Sequence, residues 1–335
     1  MEYWIAALLL LNGLAVAQET SGLSLRTHIA LPNVDGRMDH LSVDIKGQRL
    51  FSSALGNNTV EVIDLQSGKR VRTLPGLAEP QGLFFDASTN RLYAANGVDG
   101  STRIFDGATF QLLDTVKFSD DADNIRYDAR SRSVIVGYGG EKGLRGRPQG
   151  SGALGILDSS GKLSREIVVD AHPESFQLEK TGTRVFVNVP DKQEVQVADF
   201  VKGTILARWP TTVARTCFPM ALDEAHHRLF IGCRAPARLL VIDTESGRTV
   251  ASTEIVGDTD DLFYDAARSR IYVIGGQGFI DALQQKDPDH YERIAHYATP
   301  PGTRTGLFVP EWGKLFAAVP HRGEQRSEIL EYDAK

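Results

Sequence analysis

The sequence predicts an all-β fold, a seven-bladed β-propeller with four antiparallel strands per blade and an N-terminal strand closing the last blade. Three observations carry this. Residues 80–116 read as four short strands with a turn signal between each pair, and the phrase recurs along most of the chain. Its period is about 40–45 residues, the length of a propeller blade. The last copy lacks a fourth strand, and a spare strand stands ahead of the first copy.

The clearest copy takes its elements in order. Gly82-Leu-Phe-Phe-Asp86 is an apolar run suited to a strand buried on both faces, and residues 87–90 (ASTN) form a turn cluster. Arg91-Leu-Tyr-Ala-Ala95 is the second strand, ended by Asn96-Gly97 and Asp99-Gly100. Residues 102–106 alternate polar and apolar as a third strand, and 111–116 make the fourth.

The acidic residue closing the first strand indexes the copies: Asp44, Asp86, Asp128, Glu179, Asp223 and Asp265, with Pro310 in the last. The spacings are 42, 42, 51, 44, 42 and 45 residues. Residues 327–333 (SEILEYD) supply the last third strand. Residues 25–31 (LRTHIAL) resemble 69–74 (KRVRTL), so they complete blade 7 and close the ring. Closure removes open sheet edges.

The chain has 335 residues, a formal net charge of −6 and 41% hydrophobic residues. Seven blades use nearly all of it, as one domain over residues 18–335. The acidic balance speaks against non-specific nucleic-acid binding. The apolar run at 5–11 is too short to span a membrane, so no transmembrane segment is expected. With Ala15-Val16-Ala17 it reads as a signal peptide over residues 1–17, although the leading residues carry Glu2 and no Lys or Arg. A periplasmic or secreted location follows, without a lipid anchor. If Leu222 faces Leu229 in blade 5, the two cysteines, Cys217 and Cys233, stand nearly opposite each other on adjacent strands, and export favours a disulfide.

The innermost strand of each blade lines the central channel, and ligands of such rings sit at its mouth. Residues just ahead of the inner strands are therefore the candidates. Five before the index stand Asp39, Gln81, Asp123, Glu174, Phe218, Asp260 and Thr305. Four before stand His40, Gly82, Asn124, Ser175, Pro219, Asp261 and Gly306. Arg37 and His172 lie seven before, Arg304 belongs to the last blade, and His321 reaches the same face from a loop between strands two and three. Converging carboxylates need a cation, an Arg or His partner, or a raised pKa. Asp123, Glu174 and Asp260 are the metal candidates. Oxygen ligands suit Ca²⁺, while adding His40, His172 or His321 suits a transition metal. A second reading stands beside this one, since Asp and Asn also serve turns by satisfying backbone N–H groups. The Asp-turn-Gly units at Asp64, Asp158 and Asp243 are read as turn chemistry alone. Blade 3 carries a Gly-rich insertion at 137–152 with Lys142, Arg145 and Arg147, which is either a lid over the mouth or a solvated loop.

Asn57-Asn-Thr-Val-Glu-Val-Ile-Asp64, Asn96-Gly97 and Leu239-Leu-Val-Ile-Asp-Thr-Glu-Ser-Gly247 resemble the YVTN-type repeats of exported bacterial seven-bladed propellers. Tyr93-Ala-Ala-Asn96 is the nearest copy of the tetrapeptide. The resemblance spans the mature chain. It implies a periplasmic or surface binding module and no catalytic residues. Two functions are expected in competition. One is a non-catalytic module binding a small molecule or protein partner at the acidic mouth. The other is a metal-dependent hydrolase or lactonase at the same place, whose cation would polarise a carbonyl or activate water.

Overall fold

A computed structural model of the chain describes residues 22–140 and 150–335. Residues 1–17, expected to be a signal peptide, and Lys142, Arg145 and Arg147 lie outside the described residues. Seven four-stranded antiparallel sheets form the ring. Blade 2 comprises Pro80–Asp86, Arg91–Asn96, Ser101–Asp106 and Leu112–Lys117, within a residue or two of the sequence reading. Blade 7 comprises Thr305–Val309, Lys314–Val319 and Glu328–Ala334 with Leu23–Ala30 as its outer strand. The leading segment thus latches the ring, with Ile29 opposite Ile329 and Leu23 opposite Ala334.

The apolar core is not central. It is divided into seven clusters, each made by the facing sides of two neighbouring blades. Phe51 and Val60 of blade 1 meet Leu83, Phe85 and Leu92 of blade 2, for example. Ile29 and Phe316 of blade 7 meet Leu41 and Leu50 of blade 1, so the closing interface is as apolar as the others. Packing blade against blade leaves the axis to polar side chains. Among the described residues helix is confined to three short 3₁₀ turns, and none is long or apolar enough to cross a membrane.

Cys217 and Cys233 are opposite each other and bridged. Two register details depart from the sequence reading. In blade 7 Val309 pairs with Lys314, so Val309 and not Pro310 is the equivalent of Asp265, which pairs with Arg270. The acidic index residue is missing from this blade, and without it the count slipped by one. Arg304 then occupies the position five before the index, and Thr305 the position four before.

The second departure is a bulge where the inner strands of blades 1 to 6 begin. In blade 1 Asp39 donates its N–H to the Ser53 carbonyl, and Ser53 donates back to the His40 carbonyl. Gly137 does the same with Asp123 and Asn124, and Asn188 with Glu174 and Ser175. Blades 2 and 5 skip one residue at the same place, between Pro80 and Leu83 and between Cys217 and Met220. Two residues oppose one, the strand bends, and both side chains of the doubled pair turn toward the channel. Gly82 is required by this geometry, because a Cβ there would stand 2.2 Å from the Asp123 carbonyl oxygen.

Candidate functional site

At the mouth the seven corrected positions, Asp39, Gln81, Asp123, Glu174, Phe218, Asp260 and Arg304, all line one cavity of about 870 Å³. Arg37, His40, Asn124, His172 and Asp261 line it too. His321 does not. Its Nδ1 stands 3.3 Å from Asp35 and its backbone N–H donates to the Gly36 carbonyl.

The carboxylates of the mouth differ in their immediate partners, though their charges still act on one another. On the side of blades 5 to 7, Asp260 is gripped by Arg234 at 2.7 Å and by Arg304 at 3.0 Å. Both guanidiniums also approach Asp258, and Arg234 lies over the Phe218 ring at 4.0 Å. Burial lifts the Asp260 carboxyl above its usual range even against these two cations. Here the carboxylates already have their counter-ions.

Blade 1 holds a mixed group. His40 Nδ1 is 3.2 Å from Asp261, and its Nε2 lies 3.6 Å from Asp39 and 3.2 Å from the Asn124 amide nitrogen. Burial alone would depress the His40 pKa, but Asp261, Asp39 and Asp123 outweigh it and hold it well above the ordinary value. Burial pushes Asp39 the other way for a carboxyl, up to about 7, against the pull of His40.

Blades 3 and 4 differ. Asp123, His172 and Glu174 each offer a ligand atom within 4.8 Å of the others. Arginine is absent from this group. Asp123 is only 6% exposed, and its Oδ1 has no hydrogen-bond partner among the described residues. The Asn124 side-chain oxygen beside it is also buried and unpartnered. Burial and the Asp123 charge push Glu174 up to about 8. Burial would lower His172, but Asp123, Asp121 and Glu174 carry it up to about 10. His172 is aimed by its backbone surroundings. Its Nδ1 donates to the Gly139 carbonyl at 2.6 Å, which turns Nε2 toward Asp123 at 3.8 Å. Gly140 makes that approach possible. It sits at φ +114°, and a Cβ would lie 2.6 Å from the His172 Cβ.

The structure therefore gathers ten of the eleven sequence candidates around one cavity and separates Asp260 from the Asp123 and Glu174 with which it was grouped. Arg234 and Arg126 escaped the sequence reading. Arg126 lies deeper in the channel, over the Phe176 ring at 5.8 Å. Arg234 immediately follows Cys233 at the mouth end of strand two, and the cysteine pairing was the signal that could have placed it.

No family model matches the chain. Two curated relatives, the uncharacterized proteins YncE of Salmonella typhimurium and Salmonella typhi, are each 22% identical over 273 residues, covering 76% of this chain and 73% of theirs. A solved chain of the mitotic checkpoint complex superposes with a TM-score of 0.74 over 99% of this chain and 98% of its own. At 10% identity that likeness concerns the fold alone.

Proposed function

We propose that this chain is an exported binding propeller of the YVTN kind, whose small ligand or partner is held at the acidic mouth of the channel. The observation that carries the reading is the convergence of seven equivalent side chains, one from each blade, on a single cavity. Equivalent positions in a ring whose only task was stability would be expected to repeat one side chain, whereas these differ in charge and size from blade to blade. Carboxylate excess favours a cationic or polyhydroxylated ligand. Export is supported by the buried Cys217–Cys233 bridge, since such bonds persist in oxidising compartments.

A metal-dependent hydrolase or lactonase at the same mouth is the second reading. The Asp123–His172–Glu174 group favours it, because a bound cation there would have cavity space for a substrate oxygen. The first reading is tested by thermal-shift measurement against a panel of small amines, sugars and polyols, with chelator present. Compounds that stabilise the wild type should lose their effect in Asp39→Ala and Asp260→Ala variants. Unchanged responses in both variants would move the ligand away from the mouth.

A further inference from the structure

We infer that Asp123, His172 and Glu174 form a binding site for one divalent transition metal of the zinc class, with Asp260 excluded from the coordination sphere. The inference rests on the mouth being the ligand site and adds what that site holds first.

The donor set argues for the class of metal. One imidazole nitrogen and two carboxylates give the mixed nitrogen and oxygen set that zinc-class ions take as three protein ligands with an open position. Ca²⁺ asks for six to eight oxygens, and an imidazole at the centre of the group is a poor substitute. The three ligand atoms already lie within 4.8 Å of one another, so a small rotamer contraction closes them on an ion with bonds of about 2.0–2.2 Å.

Three further observations are independent of the acidity. The Asp123 Oδ1 is buried without a hydrogen bond, the nearest cation being His40 Nε2 at 4.0 Å, a costly state that coordination would relieve. His172 shows the outer arrangement of a metal ligand, with Nδ1 committed to a backbone carbonyl and Nε2 facing the carboxylate. The group also stands where two cavities adjoin. His172 and Glu174 line both the channel mouth and a neighbouring cavity of about 530 Å³ that contains Asp191 and Arg215. An open coordination position would be reachable from either.

Competing cations are accounted for elsewhere. Asp260 faces two guanidiniums, and an incoming metal would have to displace them. Both cysteines are in the disulfide, so thiolate cannot supply a rival site. Of the other histidines, His226 pairs with Asp223 and His296 with Asp281, while His40 is held among Asp39, Asp123 and Asp261 with its Nδ1 on Asp261.

The test is isothermal titration of the chelator-stripped protein with ZnCl₂, and with CaCl₂ in parallel. One equivalent of zinc should bind, and calcium should bind at least about 100-fold more weakly. Asp123→Asn, His172→Ala and Glu174→Gln should each lower zinc affinity by about 100-fold or more, while Asp260→Asn should change it less than about threefold. Cobalt in place of zinc should give visible absorption of a four- or five-coordinate ion, lost in the same three variants. Asp123→Asn and Glu174→Gln are nearly isosteric, so they decide the matter if His172→Ala fails to fold. The inference is overturned if no equivalent binds, if calcium is preferred, or if the isosteric variants keep wild-type affinity. Failure of zinc binding together with mouth-dependent thermal shifts would leave the ligand-binding reading standing without its metal.

Discussion

The two ends of the inner strands carry acids of the same kind in opposite circumstances. At the turn end each carboxylate is surrounded by donors. Asp44 accepts from Arg49 at 2.7 and 3.0 Å and from the Gly47 N–H, and Arg49 reaches on to the Gly107 carbonyl of the next blade. Asp86 is served by Ser88 and Thr89, Asp128 by Ser131, and Glu179 by Arg184. At the mouth end the acids face one another, some with arginine partners and some with an unfilled oxygen. A repeat alone would assign both sets the same role. The hydrogen-bond inventory separates them: the turn-end set holds blades together, and the mouth-end set is kept at a cost to stability.

Substitutions should divide along that line. The largest effect is expected for Asp44→Ala, which deprives a largely buried guanidinium of its carboxylate and loosens the side chain that reaches the next blade. It should cost about 2–3 kcal/mol in denaturant unfolding. A loss under half a kcal/mol would end the structural assignment of the turn-end set. Asp39→Asn should act in the opposite sense and raise stability at pH 8 by about 1–2 kcal/mol, or about 2 °C or more in melting temperature. Its carboxyl is pushed up to about 7 by burial. The folded state therefore holds a proton that the unfolded state has already released. Stability should decline as pH rises from about 4 to about 7, and the decline should be shallower in the Asn variant, where Glu174 and Asp260 still contribute with the same sign. A wild-type profile flat over this window would refute the contrast.

The smallest effect concerns the acid limb. Burial would raise Asp86 and Asp128, but hydrogen bonds from Ser88, Thr89 and Ser131 prevail and hold both below the ordinary carboxylate range. Groups with depressed folded pKa contribute stability that is present above about pH 4 and lost as pH falls through the folded value. Unfolding midpoints followed from pH 5 to pH 2 should fall, and the slope should be shallower in Asp86→Asn and Asp128→Asn. Together the two sets put maximal stability near about pH 4, with a decline on either side.

Much of the fold was legible in the sequence because a blade is a local object. Alternation, turn clusters and the 42-residue step are all read within one copy, and the pairing of Leu222 with Leu229 correctly brought Cys217 to Cys233. The site was legible in position and not in grouping. Strand alternation would send Asp123 and Asn124 to opposite faces, and only the bulge opposite Gly137 brings them together. The separation of Asp260 from Glu174 depends on where Arg234 and Arg304 reach, which no local pattern encodes. Blade 7 misled the count because Val309 carries no acid. His321 pairs with Asp35 and does not line the cavity.

The latch formed by Leu23–Ala30 has a further consequence for how the molecule is made. Its partner strand, Glu328–Ala334, lies about 300 residues downstream, so a nascent polypeptide completes six modules while the seventh stays unfinished. Throughout synthesis the early strand has an open edge that can pair with strangers until its partner emerges. Once closed, Gly22 and Lys335 are hydrogen-bonded neighbours, and labels attached at these two residues would report closure by their proximity.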